Sequence, residues 1–414
     1  MGRGPSLATL VATRALHPLT AAVDLTPTGG DVLADTAPTG DTLGFYIHVP
    51  FCTKRCYYCS FNTSPLDDPA TMTRYLGAVG AEVELLAALP WIRDVRIGSV
   101  FFGGGTPSLL SADAMTEILE HLRRRFALAR DAEITVECNP ESVTCDKLGA
   151  YRAAGVNRLS LGVQSLDDRI LDRIGRLHDR HGARAAFEAA RGAGYDNVSV
   201  DLMYGLPGLD VGAWTRAIES VLDWQPEHLS AYGLTLDAGS LWGAAGVSGL
   251  PPEDDVVAQY WALAHAAARR GLEHYEISNY ARPGYRSRHN LTYWHAAEYL
   301  AAGPGGCGFI GDVRYGNVKP LARYCAAAEA GTLPVDTFER LTPAQRAAER
   351  LILGLRTVDG VPTATLTERA AKDPGLARTL GAWRETGRLV DAAGRTRLTE
   401  AGYLVSDALF VDLL

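Results

Sequence analysis

From Gly44 onward, short apolar runs alternate with longer segments of helical period. The runs cover residues 44–49, 97–102, 133–136, 158–161, 198–202 and 228–232. Between them lie 72–88, 112–125, 145–154 and 180–193, where apolar residues recur at helical spacing. Strand, helix, strand repeated in this way is the pattern of a parallel sheet with crossover helices. In barrels built so, chemistry gathers at the C-terminal ends of the strands. The unusual residues of this chain fall there. A loop with three cysteines follows the first run, and Gly103-Gly-Gly-Thr-Pro107 follows the second. Glu137 closes the third, Gln164 lies just past the fourth, and Asp201 ends the fifth.

The first of these loops reads Tyr46-Ile-His-Val-Pro-Phe-Cys52-Thr-Lys-Arg-Cys56-Tyr-Tyr-Cys59-Ser-Phe-Asn62, with three cysteines inside eight residues. No regular helix or strand sets all three sulfurs on one face, so the segment folds around something. Gathered thiolates suit a soft metal. A structural zinc site takes four ligands, often from two separated Cys-x-x-Cys pairs, and the chain has no second pair. Three thiolates suit an iron–sulfur cube that leaves one iron for another ligand. A disulfide with one spare thiol is the remaining reading, and an odd trio makes a poor disulfide framework.

The pattern Tyr-x-His-x-Pro-Phe-Cys-x3-Cys-x2-Cys resembles the cluster loop of the radical S-adenosylmethionine (SAM) enzymes. Within them it is similar to the oxygen-independent coproporphyrinogen III oxidase-like family, which also holds heme chaperones and class C radical methyltransferases and cyclopropanases. The resemblance implies an α/β fold, an open six-stranded (β/α)6 partial TIM barrel with a C-terminal, mostly helical, winged-helix-like domain. It implies that Cys52, Cys56 and Cys59 hold a [4Fe-4S] cluster whose fourth iron is chelated by the amino acid end of SAM. One electron from the cluster then splits the sulfonium to a 5′-deoxyadenosyl radical, which calls for an electron donor such as flavodoxin or ferredoxin.

The same resemblance assigns the other strand-end residues. Gly104, Gly105 and Thr106 belong to a loop that binds the SAM amine, where missing β-carbons let backbone approach a ligand closely. Tyr46 packs near the methionine or adenine part of SAM, and Glu137 accepts hydrogen bonds from ribose or amine. A second SAM is implied at Tyr58, Gly105, Thr106, Gln164, Arg176 and Asp201. His289-Asn290-Leu-Thr-Tyr293-Trp294 looks like the His-Asn-x-x-Tyr-Trp signature of heme chaperones and class C methyltransferases. Its imidazole is suited to ligate heme iron or to move protons, unless it is a hydrogen-bonded anchor of its own loop. His48 reads as an anchor of the cysteine loop.

Three units are expected: a loosely ordered extension over residues 1–42, a radical SAM core over 43–295, and a family-specific C-terminal domain over 296–414. In the last, residues 301–308 read as a flexible loop, 343–355 and two later segments as helices, and 388–398 as a wing. The formal charge of −8 argues against a general nucleic-acid surface. No run of eighteen apolar residues is present to span a membrane. Four scattered further cysteines do not pair by spacing, which points to a reducing, cytoplasmic setting.

Three functions share such a cluster. The expected one is class C-like methyl transfer or cyclopropanation on an sp² carbon of a small-molecule or peptide-derived substrate, using two SAM in specialised-metabolite biosynthesis. Heme chaperone activity is the alternative, and heme enters only with it. Oxygen-independent coproporphyrinogen III oxidase-like activity is the third. Two departures favour the first: Ser60 stands where chaperones carry Asp, and Cys307 where they carry His. Phe61 stands where the oxidase has a further cysteine.

Overall fold

The computed structural model describes residues 29–66, 68–411 and 413. The first 28 residues of the expected loose extension lie outside the described residues. Within the rest of it, Gly29–Ala34 forms a helix whose Leu33 is fully buried, and the Trp91 indole donates to the Leu33 carbonyl at 2.8 Å.

All six apolar runs are strands: β1 Thr42–Val49, β2 Arg96–Gly104, β3 Ala127–Cys138, β4 Arg158–Gln164, β5 Val198–Tyr204 and β6 His228–Gly233. They pair in chain order and every pair is parallel. Their residues are buried almost without alternation, because helices cover one face and the barrel interior fills the other. The helices include α1 Pro69–Ala87, α2 Ala112–Arg125, α3 Cys145–Ala154, α4 Asp168–Ile174, α5 Arg180–Gly192 and α6 Val211–Leu222. Each starts at a side chain that accepts a first-turn N–H: Asp68, Ser111, Thr144, Asp167, Asp179 and Asp210. Such residues favour the N-cap because their short polar side chains replace a missing helical acceptor.

The sheet does not close. Beyond β6 lies a hairpin of β7 Glu273–Glu276 and β8 Asn279–Ala281, with β8 antiparallel to β6. Beyond β1 lies β9 Tyr299–Ala302, parallel to it, then an antiparallel run of β10 Cys307–Ile310, β11 Val313–Asn317 and β12 Val335–Arg340. One twelve-stranded sheet results, and it runs on past the expected division at 295/296. Strands of three or four residues carry too little alternation for a period to show, so β7–β10 had no signature. Downstream, a second core runs from Leu351 to Leu413. It holds helices Pro343–Leu355, Thr363–Ala370 and Pro374–Glu385 and an antiparallel wing of Leu389–Ala392 with Arg395–Leu398. Ile277, beside β7, packs against this second core, and its N–H donates to the Arg356 carbonyl at 3.2 Å.

Residues 301–308, expected to be a flexible loop, form instead a tied turn between β9 and β10. The tie is Glu82 of α1, which is 1% exposed. Its carboxylate accepts from Gly303 N–H at 2.8 Å, Asn317 Nδ2 at 2.6 Å and the Tyr324 hydroxyl at 2.5 Å. Burial nevertheless pushes its carboxyl up to about 7 from 4.5. Between those values the folded chain keeps a proton that the unfolded chain has released, so rising pH favours unfolding there. Glu82→Ala strands three buried donors and is expected to cost about 3 kcal/mol. That cost should be larger at pH 5 than at pH 8, measured by urea denaturation at both.

Candidate functional site

The cysteine loop leaves β1 at Pro50 and is closed at its base by a two-residue parallel ribbon, Phe51–Cys52 with Ser64–Pro65. Ser64 N–H donates to the Pro50 carbonyl at 2.7 Å, and Tyr57 N–H reaches across to the Ile174 carbonyl at 3.2 Å. Cys52, Cys56 and Cys59 are half-buried free thiols. Burial pushes the Cys52 and Cys59 thiols up, and the neighbouring cysteines add to this. Three thiolates here therefore need a cationic centre among them. The Thr106 hydroxyl donates to Cys52 Sγ at 3.5 Å and Arg176 Nη1 to Cys56 Sγ at 3.7 Å. Donors to sulfur are how proteins tune iron–sulfur clusters. Among the described residues no three His, Cys, Asp or Glu side chains converge on one point as ligands of a single ion. A cube asks for something else, one thiolate at each of three irons, so the donor set suits it.

The glycine run lies directly against this loop. Gly105 N–H donates to the Val49 carbonyl at 2.8 Å and Thr106 N–H to the Phe51 carbonyl at 2.7 Å. A β-carbon on Gly105 would stand 2.6 Å from the Phe51 oxygen. Gly104 has φ +112°, and a β-carbon there would meet the His48 ring at 2.5 Å. His48 Nδ1 is 3.1 Å from the Tyr46 hydroxyl and Nε2 is 2.8 Å from the Asn62 carbonyl. One imidazole thus ties Tyr46 to the far end of the cysteine loop.

Polar groups crowd the mouth of the barrel beside it. Gly104 N–H donates to the Glu137 carboxylate at 3.1 Å. Glu137 opens partly onto the mouth, yet protein surrounds its carboxyl. That loss of hydration, then the charge of Asp201, pushes it up to about 8. Asp201 is also pushed up by burial and accepts from Ser160 at 2.8 Å and Ser199 at 2.9 Å. Arg176 Nη2 donates to Asn139 Oδ1 at 2.8 Å and to the Gly162 carbonyl at 2.5 Å, and Asn139 Nδ2 donates to Thr106 at 3.2 Å. Gln164 takes φ +66°, a region that residues with a β-carbon seldom enter. A β-carbon on Gly162 would be 3.1 Å from Gln164 Nε2 and 3.3 Å from Arg176 Nη2. The Tyr58 phenol is pushed up by burial, with Cys56 and Arg176 in its field.

Of the expected site residues, Thr106 and Arg176 touch the sulfurs directly and Tyr58 lies in the field of Cys56. Gly104 joins Tyr46's neighbour His48 to Glu137, and Gln164 and Asp201 lie further along the mouth, at Gly162 and at Ser160. Two participants had no conspicuous signal in the sequence. Asn139 links Arg176 to Thr106 from an ordinary Asn-Pro turn. Arg158 reads as a polar strand start, but it is 1% exposed, its field favours the charged forms of both Glu137 and Asp201, and its Nε has no hydrogen-bond partner.

His289 is fully buried, its ring centre 6.5 Å from that of Tyr46. Its ring stacks on Phe101 with centroids 5.1 Å apart, Nδ1 is 2.9 Å from Ser99 Oγ, and Nε2 is 2.8 Å from the Tyr293 hydroxyl. Burial, helped by Arg158, pushes the imidazole down to about 3. With both nitrogens engaged, the ring has the geometry of an anchor. Two clefts, of about 590 and 580 Å³, lie on the outside of the barrel, around Asp168, Arg180 and Arg216 and around Phe126 and Arg130. Neither is lined by a residue of the cysteine loop.

Residues 46–221 match the radical SAM superfamily model and residues 341–405 the HemN C-terminal domain model. Heme chaperone HemW of Mycobacterium tuberculosis is 37% identical over 385 residues, covering 91% of this chain and 95% of that protein. Heme chaperone HemW of Bacillus subtilis is 33% identical over 380 residues, covering 88% and 97%. A bovine mitochondrial relative, radical S-adenosyl methionine domain-containing protein 1, is 36% identical over 400 residues, covering 91% and 88%. Among solved structures, coproporphyrinogen III oxidase (HemN) of Escherichia coli superposes with a TM-score of 0.80 at 22% identity, covering 92% of each chain. It shares the fold.

These relatives overturn the expected class C methyl transfer or cyclopropanation. Ser60, in the cysteine loop, and Cys307, at the start of β10, are two positions, and their departure does not outweigh a resemblance over 385 residues. The cysteine loop itself is common to all three readings, because it serves the cluster and not the substrate.

Gly104→Ala combines a disfavoured φ with a clash against His48. It is expected to destabilise the protein by roughly 2 kcal/mol or more. The lowered melting temperature should come with loss of the His48–Asn62 tie, read as faster amide exchange across residues 52–62.

Proposed function

The chain belongs to the radical SAM superfamily, in the family of the HemW relatives, and from that premise we propose that it is a heme chaperone that binds heme and hands it on. The observation that carries this reading is the resemblance to the Mycobacterium tuberculosis protein along nearly the whole of both chains. The oxidase reading has less behind it, since HemN shares the fold at only 22% identity.

In this proposal Cys52, Cys56 and Cys59 hold a [4Fe-4S] cluster, and one SAM lies against Tyr46, the Gly104–Thr106 backbone and Glu137. When bound, the pair supplies one-electron cleavage of the SAM sulfonium, fed by an external donor such as a flavodoxin or ferredoxin. The chain's own residues arrange the setting. Thr106 and Arg176 donate to sulfur and stabilise negative charge there. Glu137, raised by burial, holds a proton near neutral pH and so presents a hydroxyl donor to a ligand when protonated, an acceptor when not. Of the residues expected to take a second SAM, Arg176 is bonded to Gly162 and Asn139 and Asp201 to Ser160 and Ser199, and one SAM suffices for this reading. His289 holds the strands below the mouth and leaves heme to other groups.

Anaerobic reconstitution should load about four irons and four sulfides, and Cys52→Ala, Cys56→Ala or Cys59→Ala should each remove them. Heme added to the loaded wild type should give a saturable Soret band at one heme per chain. A loaded protein that shows no saturable heme binding would overturn the chaperone reading.

A further inference from the structure

Eight large hydrophobic residues are exposed among the described residues, and six of them ring one end of the barrel. Phe61 follows β1, Leu177 follows β4 and α4, Tyr232 lies next to the end of β6, and Leu236, Leu241 and Leu250 lie in the segment after β6, where Leu241 opens a short helix, Leu241–Ala245. The other two, Val390 and Val411, are in the C-terminal unit. A rim of this kind on one face marks a binding surface more often than chance exposure does.

The rim is held open by its own backbone. Phe61 is 65% exposed although both neighbours are fixed. Asn62 Nδ2 donates to the Pro304 carbonyl at 2.9 Å and the Lys319 carbonyl at 3.0 Å, while Ser60 lies against Gly239, where an added β-carbon would meet it at 3.5 Å. The loop carrying Leu236 and Leu241 is joined to the cysteine loop by Trp242 N–H to the Tyr57 carbonyl, 2.9 Å, and by Arg55 Nη2 to the Gly239 carbonyl, 2.9 Å. The segments that carry Phe61 and Leu241 are therefore tied to one another, and both side chains are exposed.

Cations border it. Lys54 sits 5.4 Å from the Tyr57 ring centre, and Arg55 and Lys319 flank the Phe61 segment. None of the three makes an ion pair with an Asp or Glu among the described residues, in a chain whose net charge is −8. An exposed apolar surface edged by cations that no carboxylate neutralises is complementary to a flat apolar macrocycle with carboxylates on one edge, although Arg55 also bonds the Gly239 carbonyl and lies beside the Cys59 thiol.

We propose that this rim is the heme-docking face. The porphyrin plane lies on Phe61 and Leu241, and its propionates meet Lys54 and Arg55. The proposal rests on the heme chaperone reading and adds the place and the manner of binding. Recognition is by the plane and the carboxylates, so the iron is not required for it.

The test uses full-length protein with its cluster reconstituted, titrated with heme and separately with iron-free protoporphyrin IX. Leu241→Asp and Phe61→Ser are each expected to weaken both ligands by about tenfold or more, from lost apolar contact. Lys54→Glu with Arg55→Glu should weaken both at low salt, with the gap narrowing as ionic strength rises. His289→Ala should leave heme affinity within about threefold once its melting temperature shows it folded, as expected for a group outside the contact. Melting temperature and iron content of the rim variants check that they fold, since the replaced side chains are exposed.

Rim variants that bind both ligands like the wild type would overturn the proposal while leaving the chaperone reading standing. So would heme binding that vanishes in His289→Ala while protoporphyrin fails to bind, because the iron would then be the handle. If sedimentation shows Leu241→Asp splitting a wild-type dimer at unchanged heme affinity, the rim is a contact between copies and the proposal falls. A wild type that binds neither ligand removes the chaperone reading, and the rim assignment with it.

Discussion

Everything at the barrel mouth depends on one contact, the close approach of the glycine run after β2 to the backbone of the cysteine loop. Two hydrogen bonds, Gly105 N–H to Val49 and Thr106 N–H to Phe51, hold the two segments edge to edge. That distance leaves no room for a β-carbon at Gly104 or Gly105. Once the segments meet, His48 closes the gap between Tyr46 and Asn62, and Thr106 is placed beside the Cys52 sulfur. The glycines are thus structural before they serve any ligand.

The second constraint is desolvation. Glu137 and Asp201 share the mouth with a buried guanidinium, Arg158, that forms no short ion pair with either. Both carboxyls are held above their ordinary values by burial, and serine hydroxyls compensate part of the loss at Asp201. Removal from water favours the neutral form of each carboxyl. Glu82 shows the same physics used for architecture, binding the β9–β10 turn to α1 at a carboxyl raised to about 7.

Much of the fold was legible because its signals are local. Six apolar runs each fell within a strand, though the third strand begins at Ala127, well before its run, and four helical segments fell on helices. The helices Asp168–Ile174 and Val211–Leu222 were not named from the sequence. The hairpin at 273–281 and strands β9 and β10 were not legible, since a strand of four residues is selected by its neighbours in the sheet. At the site, the cysteine spacing and glycine run stood out, whereas Asn139 and Arg158 did not. An Asn before a proline and an Arg opening a strand are commonplace in sequence, and only their partners make them significant.

What the sequence determined by itself was the order of the parallel sheet and the placing of three cysteines at the end of its first strand. Period and spacing follow from the chain alone. It did not separate a chaperone from a methyltransferase, because the cysteine loop reports the cluster and is silent on what else the protein binds. The tertiary structure alone decided which polar groups lost water and which apolar groups kept it. It buried His289 between two hydroxyls, lifted Glu82 and Glu137, and left Phe61 and Leu241 outside. Solvation is a property of the packed whole, and residues distant in the chain set it together.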